Sequence, residues 1–232
     1  LWVGNSSARG FVIAIDGPSG SGKSSASRGV ARALGLRYLD TGAMYRALTW
    51  WLMDCSVDTA DETLVVAGAG VPRIELSTEP GDPWTRVNGR DVTSEIRSRE
   101  VSAQVSMVAR VPAVRERLIA AQRAIIAAAA GGIVAEGRDI GTVVAPSAQL
   151  KVFLTADPQA RAARRAAEMG TGVDATEAAQ ARRDRLDAAQ SQMAADAVLL
   201  DATDFTLAEV IEQITRLARE RSELACAGDK CS

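Results

Sequence analysis

Histidine is absent from the 232-residue chain. That gap excludes a Ser-His-Asp triad, an imidazole general base and every histidine-ligated metal site. The three cysteines, Cys55, Cys226 and Cys231, are an odd and scattered set. They form neither a disulfide framework nor a zinc spacing and read as reduced thiols. Aromatic residues make up only 4%, too few for a base-stacking surface, and a formal net charge of -2 gives no general pull toward nucleic acid or anionic lipid. Neither nucleic acid nor a membrane is expected as a partner. No apolar run approaches the roughly 20 residues that cross a bilayer. The first ten residues lack the charged, apolar and small-residue succession of a secretory signal, so a cytoplasmic location is expected. Lysine is scarce too: among 27 basic residues only Lys23, Lys151 and Lys230 are lysines. The arginine excess reads either as a coding bias that also inflates alanine or as demand for forked phosphate contacts, and position has to separate the two.

What is present suits one large domain or a domain with a smaller insertion, since 47% of the residues are hydrophobic. The run FVIAI (Phe11 to Ile15) is continuous, rich in β-branched residues and stopped by Asp16-Gly17-Pro18, which predicts a strand buried on both faces. A helix is expected over Lys23 to Leu34, with Gly35 as its stop. Further buried strands are expected at Gly132 to Glu136, Leu150 to Leu154 and Ala197 to Leu200, each separated by helical sequence, the pattern of a parallel α/β sheet. One intervening helix opens on Pro112 and closes at Gly131-Gly132. The last begins with a capping box at Thr206 to Glu209 and runs to about Leu224.

One stretch breaks this rhythm. Over 71–97 the short alternating runs RIELS and WTRVN, with Pro-Gly and Asn-Gly turn signals, read as small antiparallel strands in an inserted subdomain. The expected division is therefore a core of 11–70 and 98–225, an insert of 71–97, an alanine-rich helical flap at about 157–190, and tails at 1–10 and 226–232.

The stretch GPSGSGKSS comprises Gly17, Pro18, Ser19, Gly20, Ser21, Gly22, Lys23, Ser24 and Ser25. It contains the G-x-x-x-x-G-K-[ST] pattern of a phosphate-binding loop, and it falls between a buried strand and a helix, the context the pattern requires. Glycines let successive backbone N–H groups turn inward around a phosphate, and the helix adds the positive end of its dipole. Lys23 would bridge β- and γ-phosphates, and Ser24 would reach Mg²⁺.

Three further stretches narrow the reading. LDTGAMYR places Thr41 and Arg46 near the start of the second helix, around a small Gly42-Ala43 surface that a planar ligand can approach. EGRDIG puts Arg138 and Asp139 at the carboxyl end of a buried strand, where open α/β sheets bind their ligands. RAARR sets Arg161, Arg164 and Arg165 at i, i+3, i+4 on a helix. With these stretches, and with DVTSEIR, VPAVRERL, KVFLTA and ADAVLLDAT in the same order, the chain from about Phe11 to Leu224 resembles the bacterial cytidylate kinases, members of the nucleoside monophosphate kinases.

The resemblance implies a three-layer α/β P-loop kinase fold with a five-stranded parallel sheet, a small inserted monophosphate-binding subdomain and a helical lid. It implies Mg²⁺-dependent transfer of the γ-phosphoryl of ATP to CMP or dCMP by a monomer. Carried over by position, Arg46 and Arg138 hold the acceptor's phosphate; Ser106, Arg115 and Asp139 read the cytosine edge; Thr41 lies near base and sugar. Arg183 and Asp187 lie near phosphate and sugar, Arg161 and Arg165 are lid residues, and Arg164 is either a lid contact or a solvated helix residue. Lys23, Arg138, Arg183, Arg161 and Arg165 form the implied catalytic set. Glu136 either replaces the usual metal-side acid or caps its strand.

One departure stands out. After RRDRLD the family continues with an arginine three residues past the aspartate and then a Pro-Leu pair, whereas this chain has AAQSQM, about four residues shorter. Either an acceptor-side arginine is lost, with Gln190 nominally in its place, or a segment between Asp187 and Met193 is omitted. The competing functions are a kinase for UMP, AMP or dTMP on the same scaffold, and a nucleotide-gated binding protein without catalysis.

Overall fold

Along β1 (Val12–Asp16), Ile13 and Ile15 belong to one buried cluster and Ala14 to another, so the strand is covered on both faces, as its unbroken apolar run requires. The computed structural model describes residues 10–169 and 173–228. From β1 the chain passes through α1 (Lys23–Leu34), β2 (Arg37–Asp40), α2 (Thr41–Asp54) and α3 (Glu62–Ala69). Three short strands follow, β3 (Ile74–Leu76), β4 (Thr85–Val87) and β5 (Arg90–Asp91), then α4 (Arg99–Ala109) and α5 (Pro112–Ala128). The remainder is β6 (Ile133–Gly137), β7 (Leu150–Thr155), α6 (Pro158–Met169), α7 (Val173–Asp187), β8 (Val198–Asp201) and α8 (Leu207–Gly228).

The five long-range strands form one parallel sheet in the order β2-β6-β1-β7-β8. Helices α1 and α8 pack on one face through Val30, Leu34, Val210 and Ile214, while α2, α3, α4 and α5 cover the other through Leu48, Leu52, Val65, Val108 and Leu118. This is the expected three-layer α/β architecture. From β1 the chain crosses to one side of the sheet and from β6 to the other, so the carboxyl ends of these adjacent strands form the crevice where such sheets place their ligands. No helix among the described residues is long and apolar enough to cross a membrane.

Four of the five strands are announced by apolar runs. The fifth, β2, is not, because only Tyr38 and Leu39 of its four residues are apolar, and pairing of Tyr38 with Val134 and Leu39 with Ala135 makes it a strand. Its outer edge is covered where Tyr38 N–H donates to the Thr78 carbonyl at 2.9 Å. Helix boundaries follow the local signals. Gly35 caps α1 in the left-handed region, Pro112 opens α5, and Thr206 exchanges bonds with Glu209 ahead of α8.

Strands β3, β4 and β5 form a separate antiparallel sheet. Asn88 and Gly89, with φ of 51° and 82°, make the two-residue turn that the Asn-Gly pair signals. Val87, Val92 and Ile96 seat this sheet against Ala43 and Ala47 of α2, and Arg90 lies over the Trp50 ring at 4.9 Å.

Gly17 closes the first strand against the sheet. Its φ is +146°, and a Cβ there would lie 2.0 Å from the Leu154 carbonyl oxygen. Gly17→Ala is expected to cost about 3 kcal/mol or more, from overpacking against backbone and from strained φ. Urea unfolding checks this, and an unchanged midpoint would contradict it.

Candidate active site

At the carboxyl end of β1 the chain turns through Gly17, Gly20 and Gly22, all at positive φ, into α1. Gly22 is the N-cap and carries no side chain to bond the first turn, so the leading N–H groups of α1 stay open to an anion. Lys23 starts the helix; its Nζ donates to the Pro18 carbonyl at 2.7 Å and approaches Ser21 Oγ at 3.5 Å. Burial and the neighbouring Arg138 pull the ammonium's pKa well below the usual lysine value. A ligand bringing negative charge would relieve both effects.

Beside it, β6 delivers Glu136 to the floor of the same cleft. Glu136 is buried; its carboxylate accepts from the Tyr38 hydroxyl and the Ser24 hydroxyl. Burial and the nearby Asp40 push its pKa upward. Asp40 caps α2 by accepting from Ala43 N–H at 2.9 Å and holds Arg97 at 3.1 Å. Ser24, Glu136 and Asp40 thus gather hydroxyl and carboxylate oxygens in one place, a donor chemistry that fits a hard divalent cation carried by phosphates.

The other end of the cleft is built from α2, α4, α5 and the turn after β6. Arg46 is buried and donates to the Ile96 carbonyl at 3.2 Å and to Ser102 Oγ at 2.8 Å. Arg115 pairs with Asp139, both largely buried. Ser106 lines the wall beside them. Thr41 lines the cleft too, but its hydroxyl donates to the Glu136 carbonyl at 2.7 Å, bracing α2 against β6.

Between the two ends lies a chain of alternating charges. Arg138 donates to the Gly17 carbonyl at 3.1 Å and pairs with Asp187 at 2.9 Å and Asp184 at 3.8 Å. Asp187 also meets Arg183 at 3.6 Å, one turn back on α7. Arg161, on α6, bonds Asp184 at 2.6 Å and the Ser19 carbonyl at 3.0 Å. It therefore sits on the crest of the phosphate loop, outside the cleft lining. Arg164 turns away, donating to the Ala202 carbonyl at 2.6 Å, which makes it a brace to the end of β8. The side chain of Arg165 lies outside the described residues, as do those of Cys226 and Cys231.

One cleft is lined by Ser19, Gly20, Gly22, Lys23, Ser24 and Ser25 at the loop, and by Thr41, Arg46, Ser106, Arg115, Arg138, Asp139, Arg183 and Asp187 beyond it. Gly17, Pro18 and Ser21 belong to the loop but not to the lining; the first two turn their carbonyls to Arg138 and Lys23. Four side chains that sequence reading passed over also enter the site. Tyr45, Arg97 and Asp40 line the cleft, and Asp184 ties Arg138 to Arg161. Tyr45 and Asp40 carry a readable signal, since both stand within LDTGAMYR, and so does Arg97, the last residue of DVTSEIR. The full sequence runs unbroken through the shortened stretch, where a 3-10 turn (Ala188–Gln190) follows α7 and brings Gln190 to the cleft wall, its amide 3.5 Å from the Ala109 carbonyl.

A crystal structure of an uncharacterized protein from Eubacterium ventriosum superposes with a TM-score of 0.51 at 10% identity, covering 91% of this chain and 99% of the other, a likeness of fold. The cytidylate kinase of Streptomyces avermitilis is 49% identical over 215 residues, covering 90% of this chain and 93% of its own. That of Streptomyces coelicolor is 50% identical over 219 residues, covering 92% and 95%. The cytidylate kinase family model matches residues 13–220, which spans every part of the cleft just described. Phosphate loop, arginine-lined cleft and extended likeness agree, and the chain belongs to the cytidylate kinase family.

Proposed function

We propose that this protein transfers the γ-phosphoryl group of ATP to the phosphate of CMP and of dCMP. The observation that carries the reading is a single cleft with an open phosphate loop at one end and the buried Arg115–Asp139 pair at the other. Cytosine offers an amino donor to a carboxylate, and N3 and O2 acceptors to a guanidinium, so this pair suits its edge. In this reading residues 71–97 form the small acceptor-side subdomain and 157–190 a lid.

Phosphoryl transfer asks the protein mainly for alignment and charge neutralisation. Arg46 and Arg138 hold the acceptor phosphate by their planar forks and aim its oxygen at the γ-phosphorus, while the first-turn amides of α1 and Lys23 hold the donor phosphates. Transfer is direct and in line, without a phosphoenzyme. The acceptor oxygen is already nucleophilic once placed, so the lack of histidine is no obstacle. Arg183 lies within the cleft and Arg161 above it, where closure of α6 and α7 brings positive charge to the transferring group and excludes water. Ser24, with the carboxylates of Glu136 and Asp40 in the same cleft, would hold Mg²⁺ together with the phosphates; the ion would neutralise phosphate charge.

A coupled ADP-release assay with CMP, dCMP, UMP and AMP side by side tests this. CMP and dCMP should be preferred over UMP and AMP by about 10² or more in kcat/KM, because a site built to pair with the cytosine edge leaves buried groups unpaired with another base. Faster turnover of UMP or AMP would reassign the acceptor, and ATP binding without turnover of any acceptor would leave only a nucleotide-binding protein.

A further inference from the structure

We infer that Asp16, the last residue of β1, is a positioning residue for the acceptor half of the cleft, although it stands next to the phosphate loop in the chain. Asp16 is 5% exposed and is not part of the cleft lining. One of its oxygens, Oδ1, accepts the N–H of Ile140 at 2.8 Å, and the other, Oδ2, accepts the N–H of Gly141 at 2.8 Å. These amides open the π turn Ile140–Val144, which follows Arg138 and Asp139 directly. Asp139, at the head of that turn, makes no side-chain cap bond, its carboxylate being held by Arg115. Both oxygens of one carboxylate are thus spent on the backbone of the segment that carries two acceptor-side groups.

A second tie runs the other way. Arg138 donates from Nη1 to the carbonyl of Gly17, the residue after Asp16, at 3.1 Å. The end of β1 therefore grips residues 138–141 at two points, and the aim of Arg138 and Asp139 is set by a strand end rather than by a free loop. Burial works against the ionised form of Asp16, and the two turn amides are the largest influences opposing it. The carboxylate is tied to the turn itself. Gly141 stands beside the cap: an added Cβ would press on the Lys151 stem, 3.1 Å from its Cδ, and come into ordinary contact, at 3.4 Å, with Asp16 Oδ2.

Asp16→Asn and Gly141→Ala test the inference. The asparagine amide offers one acceptor and turns an NH₂ toward a backbone N–H, donor against donor, so one of the two amides is released. Assigning CMP-side roles to Arg138 and Asp139 rests on the proposed function, whereas the cap does not, so two readouts are needed. In hydrogen exchange followed by mass spectrometry, the peptide spanning 138–144 should exchange about tenfold faster in Asp16→Asn, with the peptide spanning 17–25 within about twofold of wild type. In steady-state kinetics KM for CMP should rise about tenfold or more and the preference for CMP over UMP should narrow, with KM for ATP within about threefold. Gly141→Ala should show the same signature in smaller measure, and it carries the comparison if Asp16→Asn does not fold. Faster exchange centred on 17–25 with a matching rise in KM for ATP would make Asp16 a phosphate-loop residue and overturn the inference, as would unchanged exchange at 138–144. Should the wild type not phosphorylate CMP, the functional reading fails, and the exchange comparison alone still decides the cap.

Discussion

Lys23→Ala lowers kcat with CMP by about a hundredfold or more while leaving the protein as stable as the wild type. The two halves of this expected result have one cause. Lys23 is held in a desolvated position beside Arg138 and Arg183, where its ammonium is disfavoured enough to lower its pKa, despite attraction from Glu136 and Asp16. In the free protein its bond to the Pro18 carbonyl at 2.7 Å compensates only part of that cost. Alanine removes the unfavourable charge and is a good helix former at the first position of α1. The loss is felt when a triphosphate is bound: negative charge then offsets the crowding of cations, and the ammonium interacts most strongly as charge moves between β- and γ-phosphates. Kinetics at saturating ATP and CMP, beside a thermal melt, check both parts. A kcat within tenfold of wild type would remove Lys23 from the transfer step.

Arg138→Ala should behave differently, losing activity and stability together. Its guanidinium spans the Gly17 carbonyl, Asp184 and Asp187, bridging the phosphate loop to α7. Without it the Asp187 carboxylate, 9% exposed, keeps among the described residues the ion pair with Arg183 at 3.6 Å. Breaking a buried pair from one side costs about 3 kcal/mol, because the remaining charge is left poorly compensated. With Arg138 in its proposed role of orienting the acceptor phosphate, its loss adds an expected fall of about 10³ in kcat/KM for CMP. ATP affinity, measured by calorimetry, should stay near normal, since the α1 amides and the Lys23 ammonium remain to hold the donor phosphates. Arg138→Lys keeps the charge and loses the fork, and should recover stability better than turnover. Lost ATP binding with intact use of CMP would move Arg138 to the donor side.

Much of this architecture is legible in the chain because its causes are local. A continuous β-branched run is buried wherever it lies in an α/β sheet, an Asn-Gly pair with positive φ makes a tight hairpin, and glycines between a strand and a helix leave amides free for phosphate. By contrast β2 escapes detection because a four-residue strand with a charged residue at each end becomes a strand only through its neighbour β6. Arg161 and Arg164 look equivalent by helical spacing, yet one reaches the phosphate loop and the other the end of β8. A long guanidinium can reach partners several ångströms apart, and spacing along one helix does not say which partner another element supplies.

By itself, then, the sequence determined the strand, phosphate turn and helix at Val12 to Leu34, the hairpin at Asn88-Gly89, and the order of motifs that mark the family. Tertiary structure alone decided which charges meet: that Asp16 bonds amides 124 and 125 positions away, that Asp184 joins Arg138 to Arg161, and that Gln190 reaches the cleft wall. The physical reason is the strand order. By inserting β6 between β2 and β1, the sheet brings the ends of β1 and β6 side by side, and adjacency of that kind is a property of the packed layers, not of any stretch of residues.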